Sequence, residues 1–380
     1  MERKENAFLD PALGGDLLGK SPSGEDRATA LSQGARLRSL PSWALVVSVV
    51  LIAVVAFSAV QMAGSRPKKT LPPSPSGMYA QTLAQSGQAQ AYRVARRLIL
   101  PNPAPVAIAV GKNDQLFLAC QDELIVLSPT GSVVARQTLE APPQALAIGP
   151  PDCPFPHHVF VVSGKLIEAF TPELTKVTAW TVAVEPLQVV ALAVGREHIY
   201  LVNAALGEVA RLNFRGEVVG RFGGSEQDRG WPGLVLPSLR TDIVIDSQGH
   251  VFLSNPGLRR VEVYTAEGKL EHYWGGEGAA PTAFFGCCNP QHLTVLPNGN
   301  VVTSEKGLLR LKEMSPFGEF IALVAGEAEL ADFEQARHRK GDFGEPVVVD
   351  VAADSRGGIW ALYPGHPVLL YFEPTQPAPR

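Results

Sequence analysis

The residues best equipped for chemistry stand together in FFGCCNPQHLTV, at 284–295. Cys287 and Cys288 are adjacent, Asn289 and Pro290 make a turn, and His292 opens an apolar strand. Three readings of the cysteine pair compete. As structural thiols they would fill a tight junction, since free cysteine is among the most buried residue types. As a vicinal disulfide they would close a strained small ring, and strain makes a disulfide easier to reduce, which suits a redox switch or a rigid plate for a ligand. As metal ligands, Cys288 and His292, with Glu305 from the neighbouring strand, would favour a soft ion such as zinc or copper(I). Adjacent cysteines lack the C-x-x-C spacing of an ordinary zinc site. The sequence names no cofactor and leaves a metal ion open.

Other candidates are more scattered. Cys120 and Cys153 either pair, if the domain is exported, or remain free thiols. His157 and His158 fall in a lengthened turn, and His198, His250 and His272 lie in or beside strands pointing elsewhere. Asp242, Asn289 and Asp350 are candidates for a hard cation at one channel mouth. No G-x-S-x-G, H-E-x-x-H or phosphate loop is present. Aromatic side chains mark two long connections: Trp231 in GGSEQDRGWPGLVLP, and Phe284 and Phe285 in GGEGAAPTAFFGCCNP. They are either exposed grips for a partner or plugs between packed sheets. A binding face thus comprises Trp231, Phe284, Phe285, Cys287, Cys288, Asn289, His292 and Glu305.

These residues sit on a repeat with a period of roughly 40 to 50 residues. DIVIDSQGHVFLSN followed by RRVEVYTAEGKLEHYWGG matches HLTVLPNGNVVTSE followed by LLRLKEMSPFGEFIALVAG. Each copy reads as apolar strand, polar Gly turn, apolar strand, short gap, alternating strand, Gly turn and fourth strand, which is one propeller blade. A blade cannot bury both faces alone, so the copies must pack around a common axis. Copies at 106–139 and 188–224 fit well, and the copy between them is degraded around its Pro, Cys and His turn. The last copy, VVVDVAADSRGGIWALYPGHPVLLYFE, stops after its third strand, so YRVARRLIL at 92–100 is the strand that closes the ring. The fold class is therefore all-β, a six-bladed β-propeller occupying 91–375. Gly131, Gly216, Gly268 and Gly318 precede the fourth strands, where a two-residue hairpin turn needs positive φ.

The first quarter of the chain differs. Residues 1–41 mix charges with Ser, Gly and Ala and show no apolar period, as disordered tails do. Within 42–64, WALVVSVVLIAVVAFSAVQM at 43–62 lies in a stretch with no charge between Arg38 and Arg66. About 20 apolar residues span a bilayer's hydrocarbon core, so the sequence predicts a single transmembrane helix. It is too long and too far from Met1 for a secretory signal. Flanking Arg and Lys balance, so charge does not set orientation; the all-β domain after an N-terminal span points to an extracytoplasmic propeller. Residues 65–90 form a Pro-rich linker and 376–380 a short tail. The net charge of −4 argues against nucleic acid, which needs a basic stripe. The one basic cluster after the linker, at 336–342, reads as a solvated loop. Expected partners are the membrane and a protein of the cell envelope.

Units such as VIDSQGHVFLSNPGLRRVEVYTAEGK resemble NHL repeats, with their Asp-x-x-Gly turn, short apolar strand and Gly-turned final strand. The Gly-Cys-Cys-Asn-Pro segment, together with TSEKG at 303–307, resembles a bacterial membrane-anchored subset of that family. The resemblance implies a propeller scaffold whose loops and channel at one end carry specificity. It does not imply a single task, since the family includes binding modules, sensor domains and a few enzymes. Among those enzymes, peptide-amidating lyases hold zinc with channel histidines, and His292 resembles one of these in placement. The comparable positions of the other blades, Val106, Ala145, Val190, Asp242 and Val347, supply no further imidazole. The resemblance thus implies a tethered binding or assembly module, with an envelope redox component or metal-dependent enzyme using Cys287, Cys288 and His292 as the alternative.

Overall fold

The computed structural model describes Trp43, Val47 and residues 91–375, apart from 103–104, 227–229, 334 and 336–346. The expected tail at 1–41, nearly all of the expected span at 42–64, the linker at 65–90 and the basic cluster at 336–342 lie outside these residues. Among the described residues, no helix is long and apolar enough to cross a membrane.

The described strands form six four-stranded antiparallel sheets, each a blade running outward from a central channel. The innermost strands are Pro105–Val110, Ala145–Ile148, Val189–Val194, Ile243–Ile245, His292–Val295 and Asp350–Ala353, which define blades one to six. Blade six has the order Tyr92–Ile99, Val368–Pro374, Ile359–Leu362, Asp350–Ala353, so the N-terminal strand supplies its outer edge as the truncated last repeat requires. The Tyr92 hydroxyl also donates to Glu313 of blade five at 2.9 Å, tying the closing strand to the neighbouring blade.

Alternate strand residues point to opposite faces, and each blade face meets a neighbour. In blade one, Leu116, Leu118 and Cys120 pack with Trp360 and Leu362 of blade six. Phe117 and Ala119, on the other face, pack with Val159 and Val161 of blade two. Burial on both faces is why second strands such as Leu116–Cys120 and Val159–Ser163 read as continuous apolar runs rather than alternating ones. Each pair of adjacent blades shares its own apolar core.

The turns explain the repeat's polar signature. In the first turns of blades four and six, Asp246 accepts from the N–H groups of Gln248 and His250, and Asp354 from those of Arg356 and Gly358. Asp354 lies deep in the fold. Burial alone would raise its carboxyl, but the Tyr371 hydroxyl, these N–H groups and Arg356 hold it below the usual range. The outer turns differ from expectation: they are three-residue loops rather than two-residue ones, with a bulge after the glycine. In blade five, Gly318 donates to the Ser315 carbonyl at 3.0 Å, and Ser315 donates to Glu319 at 2.8 Å. Gly318, at φ +87°, also seats Trp274 of the preceding blade against its bare Cα. In the degraded second blade, Leu174 takes this place at φ 68°.

Candidate functional site

In a propeller the connection from an outer strand to the next inner strand lies at the end where inner strands begin. Short connections at 100–104, 139–144 and 182–188 lead into blades one to three, and long ones at 223–242, 276–291 and 326–349 lead into blades four to six. The same three blades place Asp242, His292 and Asp350 at the start of their inner strands. The channel between all six inner strands encloses a cavity of about 320 Å³, lined elsewhere mainly by Val, Ala, Ile and Leu. The ionisable groups that line it thus all come from blades four to six.

The two aspartates serve as staples between blades. Asp242 accepts from Leu293 N–H of blade five at 2.9 Å, and Asp350 from Ile108 N–H of blade one at 2.9 Å. Each also accepts from the N–H of the residue that follows it, Ile243 and Val351 respectively. Between them stands His292, its Nδ1 3.2 Å from Asp350 Oδ1 and 3.6 Å from Asp242 Oδ2. Burial would lower the imidazole's pKa, but the charge of Asp350 and the hydrogen bonds and charge of both carboxylates outweigh it and lift the group to about 10. Burial raises the Asp242 carboxyl, with His292 opposing and Asp350 reinforcing the shift. Nε2 of His292 is buried without a hydrogen-bond partner in the protein.

Asp350, not Val347, holds the inner-strand position in blade six, so the sequence register there was three residues early. Neither Cys287 nor Cys288 belongs to the cluster of Asp242, His292 and Asp350. The two thiols are free, with Sγ atoms 3.2 Å apart; Cys287 is exposed and Cys288 buried. That separation exceeds the roughly 2.05 Å of a disulfide. Burial, then the bond with Cys287, raises the Cys288 thiol. Cys120 and Cys153 are also free; they pack into different inter-blade cores, which removes any staple between them. Burial, reinforced by Glu123 and Asp122, pushes Cys120 up to about 12, an inert thiol.

Asn289 is a loop clasp rather than a cation ligand. Its amide donates to the Phe285 and Lys306 carbonyls and accepts from Lys306 N–H at 2.9 Å. Glu305 is fully buried, held by Arg310 Nε at 2.8 Å and Lys312 Nζ at 2.9 Å. Those cations in turn donate to the carbonyls of Ala279, Pro281 and Ala283, which satisfies a connection without strand partners. Burial pushes the Lys312 ammonium down to about 8, against the pull of Glu305. Phe284 is a plug, fully buried against Trp274 and beneath Lys312, while Phe285 is half-buried.

Trp231 behaves differently. Joined to Glu226 by a pair of backbone hydrogen bonds, its ring lies 4.2 Å from the Arg260 guanidinium; the Tyr273 ring lies 4.4 Å from the same group and 6.1 Å from Trp231, so the two ring centres make about a right angle at the cation. Tyr273 keeps 55% of its surface exposed. Arg260 is oriented by Glu262, to which Nε and Nη2 both donate. Sequence reasoning missed Arg260 and Tyr273. Their signal was the repeat register: Arg260 follows the second strand where Glu208 and Arg310 do, beside the incoming connection.

The fold has solved counterparts. A protein of unknown function from Bacteroides thetaiotaomicron aligns at a TM-score of 0.53 and 14% identity, over 75% of this chain and 76% of that one. A streptogramin B lyase aligns at 0.51 and 12% identity, over 76% of this chain and all of that one. Virginiamycin B lyase from Staphylococcus aureus aligns at 0.48 and 11% identity, over 74% of this chain. No family model and no curated protein matches the chain. The chain is a six-bladed β-propeller. At such identities the likeness establishes the scaffold and leaves the task to the site.

Proposed function

We propose that this chain is a membrane-tethered, extracytoplasmic propeller of the NHL type, whose loop-bearing end binds a protein partner of the cell envelope. The observation that carries this reading is the cluster of Trp231, Arg260 and Tyr273 beside the long connections. Trp, Tyr and Arg dominate binding hot spots because they offer large, rigid, amphipathic contact area. Here each is pre-positioned, so little side-chain entropy is lost on binding. The uncharged stretch at 42–64 supports the tether, and the Asp-x-x-Gly turns support the NHL kinship.

A second reading, an envelope redox component or metal-dependent enzyme, rests on the two thiols 3.2 Å apart at Cys287 and Cys288. Affinity capture of the tagged full-length protein from solubilised membranes separates the two. The binding reading predicts a discrete partner retained by the Cys287→Ser/Cys288→Ser double variant. Trp231→Ala, by removing the larger ring of the cluster, should weaken that partner by at least 2 kcal/mol, roughly 30-fold. A partner indifferent to Trp231→Ala and lost with the cysteines would favour the redox reading.

A further inference from the structure

We propose that Asp242, His292 and Asp350 form a binding site for a divalent metal ion of the manganese and zinc group, at the loop-bearing end of the channel. The three groups come from three different blades, and their ligand atoms all lie within 4.8 Å of one another. The strands that carry them belong to separate sheets, so closure of the ring and the side-chain bonds between neighbouring blades bring the three groups together.

The distances decide between an ion pair and a metal site. A charge-assisted hydrogen bond between imidazolium and carboxylate closes to about 2.7–2.9 Å. His292 Nδ1 instead stands 3.2 Å from Asp350 Oδ1, at the outer edge of the hydrogen-bond range, and 3.6 Å from Asp242 Oδ2, beyond it, so neither contact is a tight charge-assisted bond. Ligands about 2.1 Å from a common ion are separated by about 3.0 Å at neighbouring octahedral corners, about 3.4 Å at tetrahedral ones and about 4.2 Å when opposite. The observed edges fall in that range. Nδ1 faces both carboxylates at once, which one proton cannot satisfy and one cation can.

The surroundings fit as well. Each carboxylate is already oriented by backbone N–H donors, Leu293 and Ile243 on Asp242, and Ile108 and Val351 on Asp350. Such outer contacts hold ligands in place in metal sites. The channel's 320 Å³ leaves room for water or a small oxygen ligand to complete the coordination. Two carboxylates and one imidazole nitrogen make an oxygen-rich, borderline set, suited to manganese or zinc and unlike a thiolate site. The cysteine pair takes no part.

Manganese(II) is the discriminating probe, because hard ions bind thiolates poorly. Full-length protein, stripped with chelator, is titrated with manganese, and the electron-paramagnetic signal of the free ion is followed. The expected result is one ion bound per chain, with nitrogen hyperfine coupling from a single imidazole and a raised thermal midpoint. Asp350→Asn and His292→Ala should each weaken binding by at least about 100-fold, the upper end of what even outer contacts are worth. Cys287→Ser/Cys288→Ser should leave it unchanged. Zinc should displace the manganese, following the usual order of affinities. No loss of the free-ion signal, a bound ion without nitrogen coupling, or binding insensitive to both Asp350→Asn and His292→Ala would overturn the assignment. The nitrogen coupling is read on the unaltered protein, so the test stands even where a variant fails to fold.

Discussion

Replacing Glu305 by alanine should destabilise the propeller by about 3–5 kcal/mol, the range for breaking a buried ion pair from one side. The single carboxylate pairs with two fully buried cations, Arg310 and Lys312, and is inaccessible itself. Without it those charges lose their carboxylate, while their bonds to main-chain carbonyls of the 276–291 connection remain. Urea unfolding of the full-length protein should show a lower midpoint. Adding Lys312→Met to the alanine variant should recover part of the loss, because it removes one uncompensated charge. A loss below about 1 kcal/mol would mean that the carbonyls alone suffice to hold both cations.

A second large effect is expected from a single methyl group at Gly318. Its φ of +87° disfavours any other residue, and an added Cβ would clash with Trp274 Cβ and lie 2.6 Å from its Cγ. Trp274 belongs to the core between blades four and five and cannot retreat without disturbing Phe284. Gly318→Ala should therefore combine about 1–2 kcal/mol of backbone strain with about 1–3 kcal/mol of overpacking. Gly299 is a matched control on the same blade, at φ +86° with nothing within 4 Å of its added Cβ. Gly299→Ala should incur the backbone part alone. Equal losses in the two variants, read from the same unfolding curves, would contradict the packing role of Gly318.

The scaffold was legible because its constraints are local and repeated. Apolar strands, Asp-x-x-Gly turns and a missing last strand are patterns within about 40 residues, and they imply ring closure without any long-range contact being known. The site was legible only in part. His292 was picked out by its place at the head of an inner strand, but its partners come from blades 50 and 58 residues away in sequence, Asp242 and Asp350. Only the ring brings them together. Asp350 was named, yet an offset in the last blade put Val347 in the inner position. Glu305 looked like a ligand because it lies on the strand next to His292. Its equivalents, Asn203 and Asn255, also tie incoming connections, Asn203 to Gln188 and Pro186 and Asn255 to Val235 and Gly233. That shared register marks the position as structural. The strand Arg310–Met314 carries Arg310, Lys312 and Glu313 and is nevertheless buried throughout, because each charge finds a partner: Arg310 and Lys312 the Glu305 carboxylate, and Glu313 the Tyr92 hydroxyl.

The most direct test of a binding function at the loop-bearing end is photo-crosslinking in native membranes from two positions of blade four. Tyr273 lies beside Trp231 near the long connections, and Gln248 lies in the turn between Ile243–Ile245 and Val251–Asn255, at the opposite end of the ring. A photoreactive side chain replacing Tyr273 should give one discrete crosslinked species, and the same group at Gln248 none. Crosslinking from Gln248 alone, or from neither position, would contradict the account.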